Sequence, residues 1–156
     1  MKCKAFIAGI LFLLLITACG TSETDETGGE EEQTMEKDWK LTGEFDVDTN
    51  SWSMKLENLT ESPLELNFKS GQEVEVKIKK EDQSETVYTY SADKMFTQAL
   101  KETTIDPGSS KSWSEDISKE TLEKGTYTIE FEVLAYEING KKPEEPIKTT
   151  ETFEMK

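Results

Sequence analysis

Apolar and polar residues alternate with a period of two through much of the chain after residue 38. Trp52, Met54 and Leu56 are separated by polar residues. The same spacing recurs at Leu64, Leu66 and Phe68, at Val74, Val76 and Ile78, and at Tyr127, Ile129, Phe131 and Val133. A period of two is typical of a strand with one buried and one solvated face. Because the solvated positions carry Lys and Glu, the pattern predicts antiparallel sheets rather than a parallel sheet buried on both faces.

Segments rich in turn-forming residues separate the predicted strands. Ser70-Gly71-Gln72 predicts a tight turn in which Gly71 takes a φ that favours glycine. Asn139-Gly140 is typical of a hairpin and predicts a return to a last strand around residues 147–153. Residues 118–124 alone predict a short helical turn. Several short strands at even spacing predict an immunoglobulin-like antiparallel β-sandwich of about seven to nine strands, formed by residues 38–156.

The N-terminus has the parts of an export signal. Lys2 and Lys4 precede an apolar run over residues 5–16, which is shorter than the roughly 20 residues of a membrane-spanning helix. The small residues Thr17-Ala18 come directly before Cys19. This arrangement resembles a bacterial lipoprotein signal with its lipobox, as opposed to an uncleaved anchor. The resemblance implies that residues 1–18 are removed, that Cys19 is the lipid-attachment site, and that the protein is anchored at the extracellular face of the cytoplasmic membrane.

Residues 19–37 are predicted to be an acidic, disordered linker. Residues 21–33 contain no apolar side chain and therefore have nothing to bury in a core. Repulsion among the acidic groups favours an extended chain. The linker would thus hold the predicted β-sandwich away from the membrane surface.

Composition excludes several classes of function. The chain has 33 acidic residues against 18 lysines, no arginine and a net charge of −15, so we expect no nucleic-acid partner. Without histidine it has neither a Ser-His-Asp nor a Cys-His nucleophile system, and no imidazole-based zinc site. Cys3 would leave with the signal and Cys19 would be lipidated. We therefore predict that the protein is not an enzyme and has no catalytic residue, cofactor, metal or disulfide. We also expect it to be a monomer.

One acidic segment has the spacing of a calcium loop. Asp46, Asp48, Asn50 and Glu57 stand at the first, third, fifth and twelfth positions of such a loop. The sixth position is Ser51 where calcium loops have glycine, and strand patterns flank the segment in place of helices. A turn between two strands is the favoured interpretation.

Two further kinds of functional site compete with structural roles for the same residues. Trp39, Trp52 and Trp113 are the kind of residues that form a sugar-binding platform, but alternation places Trp52 in the core. Pairs of carboxylates are numerous enough to suggest a glycosidase. We identified no acidic residue in an apolar context that would raise its pKa, so this interpretation is disfavoured.

A series of motifs in order resembles a known family. The sequence contains, in this order, Phe68-Lys69-Ser70-Gly71-Gln72, Val87-Tyr88-Thr89-Tyr90-Ser91, Met95-Phe96-Thr97-Gln98, Ile105-Asp106-Pro107-Gly108, Trp113, and Gly125-Thr126-Tyr127-Thr128-Ile129. This order resembles the BsuPI-type intracellular proteinase inhibitors of bacilli, over about residues 52–135. The resemblance implies a β-sandwich that inhibits a serine proteinase. This chain departs from the family in its predicted export, and in having Tyr88 and Tyr90 where the family often has Trp.

Residues 91–100, a long connection of mixed polarity between predicted strands, are the candidate contact with a protease. In one interpretation Met95 and Phe96 fill the core and Gln98 satisfies backbone groups. In the other the segment lies across a protease cleft, as strand-adding inhibitors do, with Phe96, Gln98, Ala99 and Leu100 in contact and Ala99 or Leu100 in the specificity pocket. We therefore predict a surface lipoprotein that inhibits a proteinase by occupying its cleft. The alternative is a non-inhibitory protein-interaction module of the cell envelope.

Overall fold

A computed structural model describes residues 38–81, 86–117 and 122–156. These residues form ten strands: β1 (Trp39–Asp46), β2 (Ser51–Asn58), β3 (Leu64–Phe68), β4 (Val74–Lys80), β5 (Thr86–Thr89), β6 (Lys101–Ile105), β7 (Ser110–Asp116), β8 (Gly125–Val133), β9 (Glu137–Ile138) and β10 (Ile147–Met155). The predicted signal (residues 1–18), Cys19 and the linker (residues 19–37) lie outside the described residues. Within the described ranges there is no helix of the length and apolar character that crossing a membrane requires.

The strands form three antiparallel sheets. Their orders are β1-β2-β7, β10-β8-β4-β5 and β6-β3-β9. This arrangement confirms the prediction of an all-β antiparallel fold and is consistent with a β-sandwich. The ten described strands slightly exceed the predicted seven to nine. Three of them, β6, β7 and β9, lack the apolar alternation on which the prediction rests. The immunoglobulin-like arrangement remains a prediction.

Side chains from all three sheets form one core. Alternation along β2 buries Trp52, Met54 and Leu56, as predicted, with exposures of 2% or less. Leu66 of β3 and Phe131 of β8 are fully buried beside them in the same cluster. The indole N–H of Trp52 is also satisfied within the protein, so this residue is a core residue and not part of a sugar-binding surface.

The edge strands β1 and β10 belong to different sheets and meet through side chains. The rings of Phe45 and Phe153 stack with their centroids 4.0 Å apart. The backbone N–H of Phe45 donates a 3.2 Å hydrogen bond to Oε2 of Glu151. These contacts join the two sheets at an edge where their backbones are not paired.

The Asn139-Gly140 turn is confirmed, but its predicted partner strand is wrong. Both residues have positive φ, 47° and 74°, and Ile138 pairs with Lys141 across the turn. This backbone is that of a two-residue hairpin turn with φ > 0 at both positions. However, β9 pairs with β3, whereas β10 pairs with β8 in another sheet. The turn therefore carries the chain from one sheet towards another.

Two smaller predictions need correction. Ser70-Gly71-Gln72 lies between two strands as predicted, but it connects β3 and β4, which belong to different sheets. Gly71 is also not among the described glycines with positive φ. A Cβ atom there would lie 2.6 Å from Oγ1 of Thr97, so glycine is needed for close approach. The predicted helical turn falls partly on residues 118–121, outside the described residues, and residues 122–124 are not helical.

Candidate functional site

Residues 91–100, hereafter the 91–100 loop, lie between β5 and β6. Gln98, Ala99 and Leu100 are exposed, with Leu100 75% accessible. Phe96 is half-buried, and Met95 is completely exposed. The prediction that Met95 fills the core is therefore wrong. Gln98 does satisfy one backbone group, because its side-chain amide donates a 3.4 Å hydrogen bond to the Phe96 carbonyl.

Hydrogen bonds to β4 hold the first residue of the loop. Oε1 of Glu75 accepts a 3.2 Å hydrogen bond from the Ser91 backbone N–H, and Oε2 accepts a 2.5 Å bond from the Ser91 hydroxyl. The side-chain amide of Gln72 donates to the same carboxylate at 3.2 Å. Because Glu75 lies on a central strand of its sheet, the loop begins from a rigid support.

Lys94 holds the loop against the edge strand β7. Its Nζ lies 2.8 Å from both oxygens of Glu115 and 4.7 Å from the centroid of the Tyr90 ring. The hydrogen bond to Glu115 raises the pKa of Lys94 above its ordinary value, despite the opposing effect of burial. The backbone N–H of Lys94 donates to the Ser91 carbonyl at 3.3 Å. This residue is therefore held by both its backbone and its side chain.

An aromatic series connects the loop to the core. The ring of Phe96 lies 6.1 Å from that of Tyr90, and the Tyr90 ring meets the buried Trp52 edge-on at 5.4 Å. The Trp52 indole N–H donates to the Tyr88 hydroxyl at 3.2 Å. Burial raises the pKa of Tyr88 above its ordinary value. Phe96 thus packs on an aromatic base that continues into the interior.

The loop is held again just after Phe96. The Gly71 backbone N–H donates a 2.8 Å hydrogen bond to the Thr97 carbonyl. The absence of a side chain at Gly71 lets the two segments come this close. Lys94 and Thr97 are therefore fixed on either side of Met95 and Phe96.

Glu73 lies buried near the base of the loop and was not identified from sequence. Only 9% of this residue is exposed. Thr103 of β6 and Trp113 of β7 each donate a 2.8 Å hydrogen bond to its carboxylate. Lys101 and Lys111 place their Nζ atoms 3.3 and 3.2 Å from Oε1. Burial acts to raise the pKa of Glu73, but the hydrogen bonds from these partners outweigh it and hold the pKa below its ordinary value.

The structure supports a turn at the segment with calcium-loop spacing. Oδ1 of Asp46 accepts hydrogen bonds from the backbone N–H groups of Asp48 and Thr49 at 2.9 and 3.1 Å. The bonds from Thr49 lower the pKa of Asp46. Asn50 is buried with a positive φ, and its amide donates to the Ile117 carbonyl at 2.7 Å. Among the residues described, no three acidic or thiol groups are gathered as metal ligands.

The arrangement as a whole is suited to binding a protein. Exposed side chains at Met95 and Gln98–Leu100 stand on a backbone that is fixed at Ser91, Lys94 and Thr97. A loop ordered in this way loses little further conformational freedom when a partner covers it.

Comparison with known proteins agrees with the order of motifs. The sequence profile of the BsuPI family, described as intracellular proteinase inhibitor, matches residues 33–138. No curated protein matches the chain. The profile match includes the whole 91–100 loop, both strands beside it, and most of the described fold. This chain therefore belongs to the BsuPI family of intracellular proteinase inhibitors.

Proposed function

We propose that this protein is a lipid-anchored inhibitor of a serine endopeptidase and that its 91–100 loop occupies the cleft of that enzyme. The supporting observation is the fixed backbone of the loop. Glu75 holds Ser91, Glu115 holds Lys94, and Gly71 holds the Thr97 carbonyl, while the side chains at residues 95 and 98–100 face solvent. The protease contacts proposed from sequence, Phe96, Gln98, Ala99 and Leu100, all lie on this loop.

Rigidity distinguishes an inhibitor from a substrate. A flexible peptide loses conformational entropy when a cleft orders it, by roughly 1–2 kcal/mol per residue of backbone. The 91–100 loop is ordered before binding, so more of its contact energy appears as affinity. After any slow cleavage the anchored segments would also keep the cut ends in place. The loop would therefore remain in the cleft.

The proposed location determines where the target is found. The lipobox-like sequence at Cys19 implies a diacylglyceryl group, and two acyl chains are enough for stable membrane anchoring. The family is named for intracellular inhibition, but a domain anchored outside the cytoplasmic membrane meets secreted or envelope proteases. We propose that the target has changed with the compartment while the inhibitory fold has been kept.

A titration tests this function directly. The soluble chain of residues 20–156 is added to a secreted subtilisin-like protease, and hydrolysis of a chromogenic peptide is followed. We expect stoichiometric inhibition at micromolar or lower concentration. Leu100→Glu should weaken it, because this substitution places a charge at the proposed interface. Leu59→Glu is the matched control, since Leu59 is 54% exposed in the turn between β2 and β3. Proteolysis undiminished by the micromolar domain would refute the proposal.

A further inference from the structure

We infer that Met95 is the primary specificity residue of the 91–100 loop and enters the main pocket of the protease. The inference rests on the proposed inhibitory function and names the class of enzyme that the loop fits. That class is a serine endopeptidase whose main pocket accepts a long, unbranched apolar side chain. The sequence had instead favoured Ala99 or Leu100 for this position.

Exposure distinguishes Met95 from the other apolar residues of the loop. Met95 is 100% accessible, Leu100 is 75% accessible, and Phe96 is partly covered. An apolar side chain that is fully solvated in the free protein gains the whole hydrophobic free energy of its burial when a partner encloses it. Methionine also adapts to irregular apolar pockets because it is flexible and unbranched. Met95 therefore has the most to gain from binding.

Anchors stand on both sides of Met95. Before it, Lys94 Nζ lies 2.8 Å from Glu115. After it, the Thr97 carbonyl accepts the 2.8 Å bond from Gly71. The backbone at Met95 thus projects between two fixed points. A protease reaches the side chain without having to unfold the loop.

The anchors also explain how cleavage would be resisted. Hydrolysis adds one water across the Met95–Phe96 peptide bond and produces a carboxylate on Met95 and an amine on Phe96. The new C-terminal end stays attached through Lys94 and Glu115. The new N-terminal end stays through the packing of Phe96 on Tyr90 and through Thr97. Held ends favour resynthesis of the bond over release.

Position argues against Leu100 as the primary residue. Leu100 directly precedes β6, whose first residue, Lys101, is paired with Phe68 of β3. A protease centred on Leu100 would have to approach the sheet itself, because substrate residues on both sides of the cleaved bond must enter the cleft. Met95 lies six residues before the start of β6 and leaves room for the cleft.

Charge argues against a trypsin-like target. A pocket with a carboxylate at its base requires a cationic side chain. The neighbouring cation, Lys94, is paired with Glu115 and lies over the Tyr90 ring. Inserting Lys94 into such a pocket would break both contacts. The side chain that the loop can offer to the main pocket of a protease is therefore an apolar one.

The test uses four variants of the soluble chain against a subtilisin-like enzyme that prefers Met or Leu, and against trypsin. We expect Met95→Leu to keep inhibition within a few-fold and Met95→Glu to weaken it by at least about tenfold. Met95→Lys should lose inhibition of the first enzyme and gain inhibition of trypsin. Leu100→Glu should have a smaller effect than Met95→Glu. Thermal unfolding checks that each variant keeps its fold, which we expect for an exposed position.

Oxidation gives an independent readout. Treating the inhibitor with peroxide, and removing the peroxide before assay, converts exposed methionine to its polar sulfoxide. Met54 is 2% exposed and is protected by the core. Inhibition should fall for the original sequence and persist for Met95→Leu. An equal loss of inhibition in the original sequence and in Met95→Leu would assign the effect to another residue and overturn the inference.

These outcomes distinguish failure of the role proposed for Met95 from failure of the proposed inhibitory function. Inhibition that survives Met95→Glu but is abolished by Leu100→Glu keeps the proposed function and overturns the role of Met95. Absence of inhibition by the original sequence, against both enzymes, overturns the function and the role together. A mass increase of one water after long incubation, mapped to the Met95–Phe96 bond, supports both.

Discussion

The indole N–H of Trp113 donates a 2.8 Å hydrogen bond to Oε2 of Glu73. Trp113 lies on β7, an edge strand of one sheet, and Glu73 lies in the connection between β3 and β4. The other carboxylate oxygen accepts a bond from Thr103 on β6, an edge strand of another sheet. One buried carboxylate therefore joins two strands that share no backbone pairing. A charge so buried is stable only because it is fully partnered.

We predict that Glu73→Gln lowers the free energy of unfolding by about 1–3 kcal/mol at neutral pH. The amide keeps the shape of the carboxylate but cannot accept from both donors and pair with Lys101 and Lys111. Urea denaturation at pH 7 measures the loss. Glu65→Gln, at an exposed position on β3, is the control and should have little effect.

Glu73 should also make the stability of the fold depend on pH. The pKa of Glu73 lies below its ordinary value of 4.5, so the proton binds more tightly to the unfolded chain than to the folded one. The stabilisation is full above that ordinary value and is lost as the pH falls through the lower folded pKa. The original sequence should therefore lose more stability on acidification than Glu73→Gln does. Equal loss in both proteins would contradict this role.

We predict that Gly71→Ala loosens the 91–100 loop. The added Cβ would lie 2.6 Å from Oγ1 of Thr97, so Thr97 must move, and we expect the hydrogen bond from the residue 71 N–H to the Thr97 carbonyl to lengthen. Stability should fall by about 1–3 kcal/mol, and limited proteolysis should cut the loop faster. Thermal unfolding and mass spectrometry of the fragments measure the two effects.

A second substitution tests the cause of that effect. Thr97→Ala removes the Oγ1 atom with which the new Cβ collides, and the next atom, Thr97 N, lies at 3.4 Å. The double variant should therefore be more stable than the sum of the two single effects predicts. Strict additivity would show that Gly71 is required for another reason.

Alternation predicted the strands that have one buried face. β2, β3, β4 and β8 each place every second residue in the core, so the pattern is present in the sequence itself. β7 was not foreseen as a strand, because its inward positions hold Lys111, Trp113 and Glu115 in place of three apolar residues. Charged residues at such positions are typical of edge strands.

The anchoring of the candidate site depends on contacts that the sequence does not display. Gly71 and Thr97 are 26 positions apart, and only the folded chain brings them together. Glu73 precedes Val74, an inward residue of β4, and alternation would place both Glu73 and Glu75 outside. Glu73 lies outside β4, just before its first residue, so the strand alternation does not apply to it and its side chain is buried. Local patterns therefore located the loop but not what fixes it.

The Lys94–Glu115 pair should contribute more to the order of the loop than to global stability. A pair of this exposure has a coupling energy of about 0.2–1 kcal/mol. Single and double variants, Lys94→Gln and Glu115→Gln, measure that coupling by urea denaturation. Both single variants should also raise the rate of proteolysis within the 91–100 loop. Lys55→Gln breaks an exposed pair with Glu57 at 3.6 Å and should leave the rate unchanged.

Cys19→Ala should release the protein from the membrane. The proposed diacylglyceryl group is attached to this thiol, and each buried methylene of its chains contributes about 0.8 kcal/mol to anchoring. Cells fed radiolabelled palmitate should label the original protein and Cys3→Ala, since Cys3 lies within the predicted signal. The Cys19→Ala variant should carry no label and should leave the membrane fraction. Persistent labelling would show that the anchor is elsewhere, and the proposed meeting with secreted proteases would then lose its physical basis.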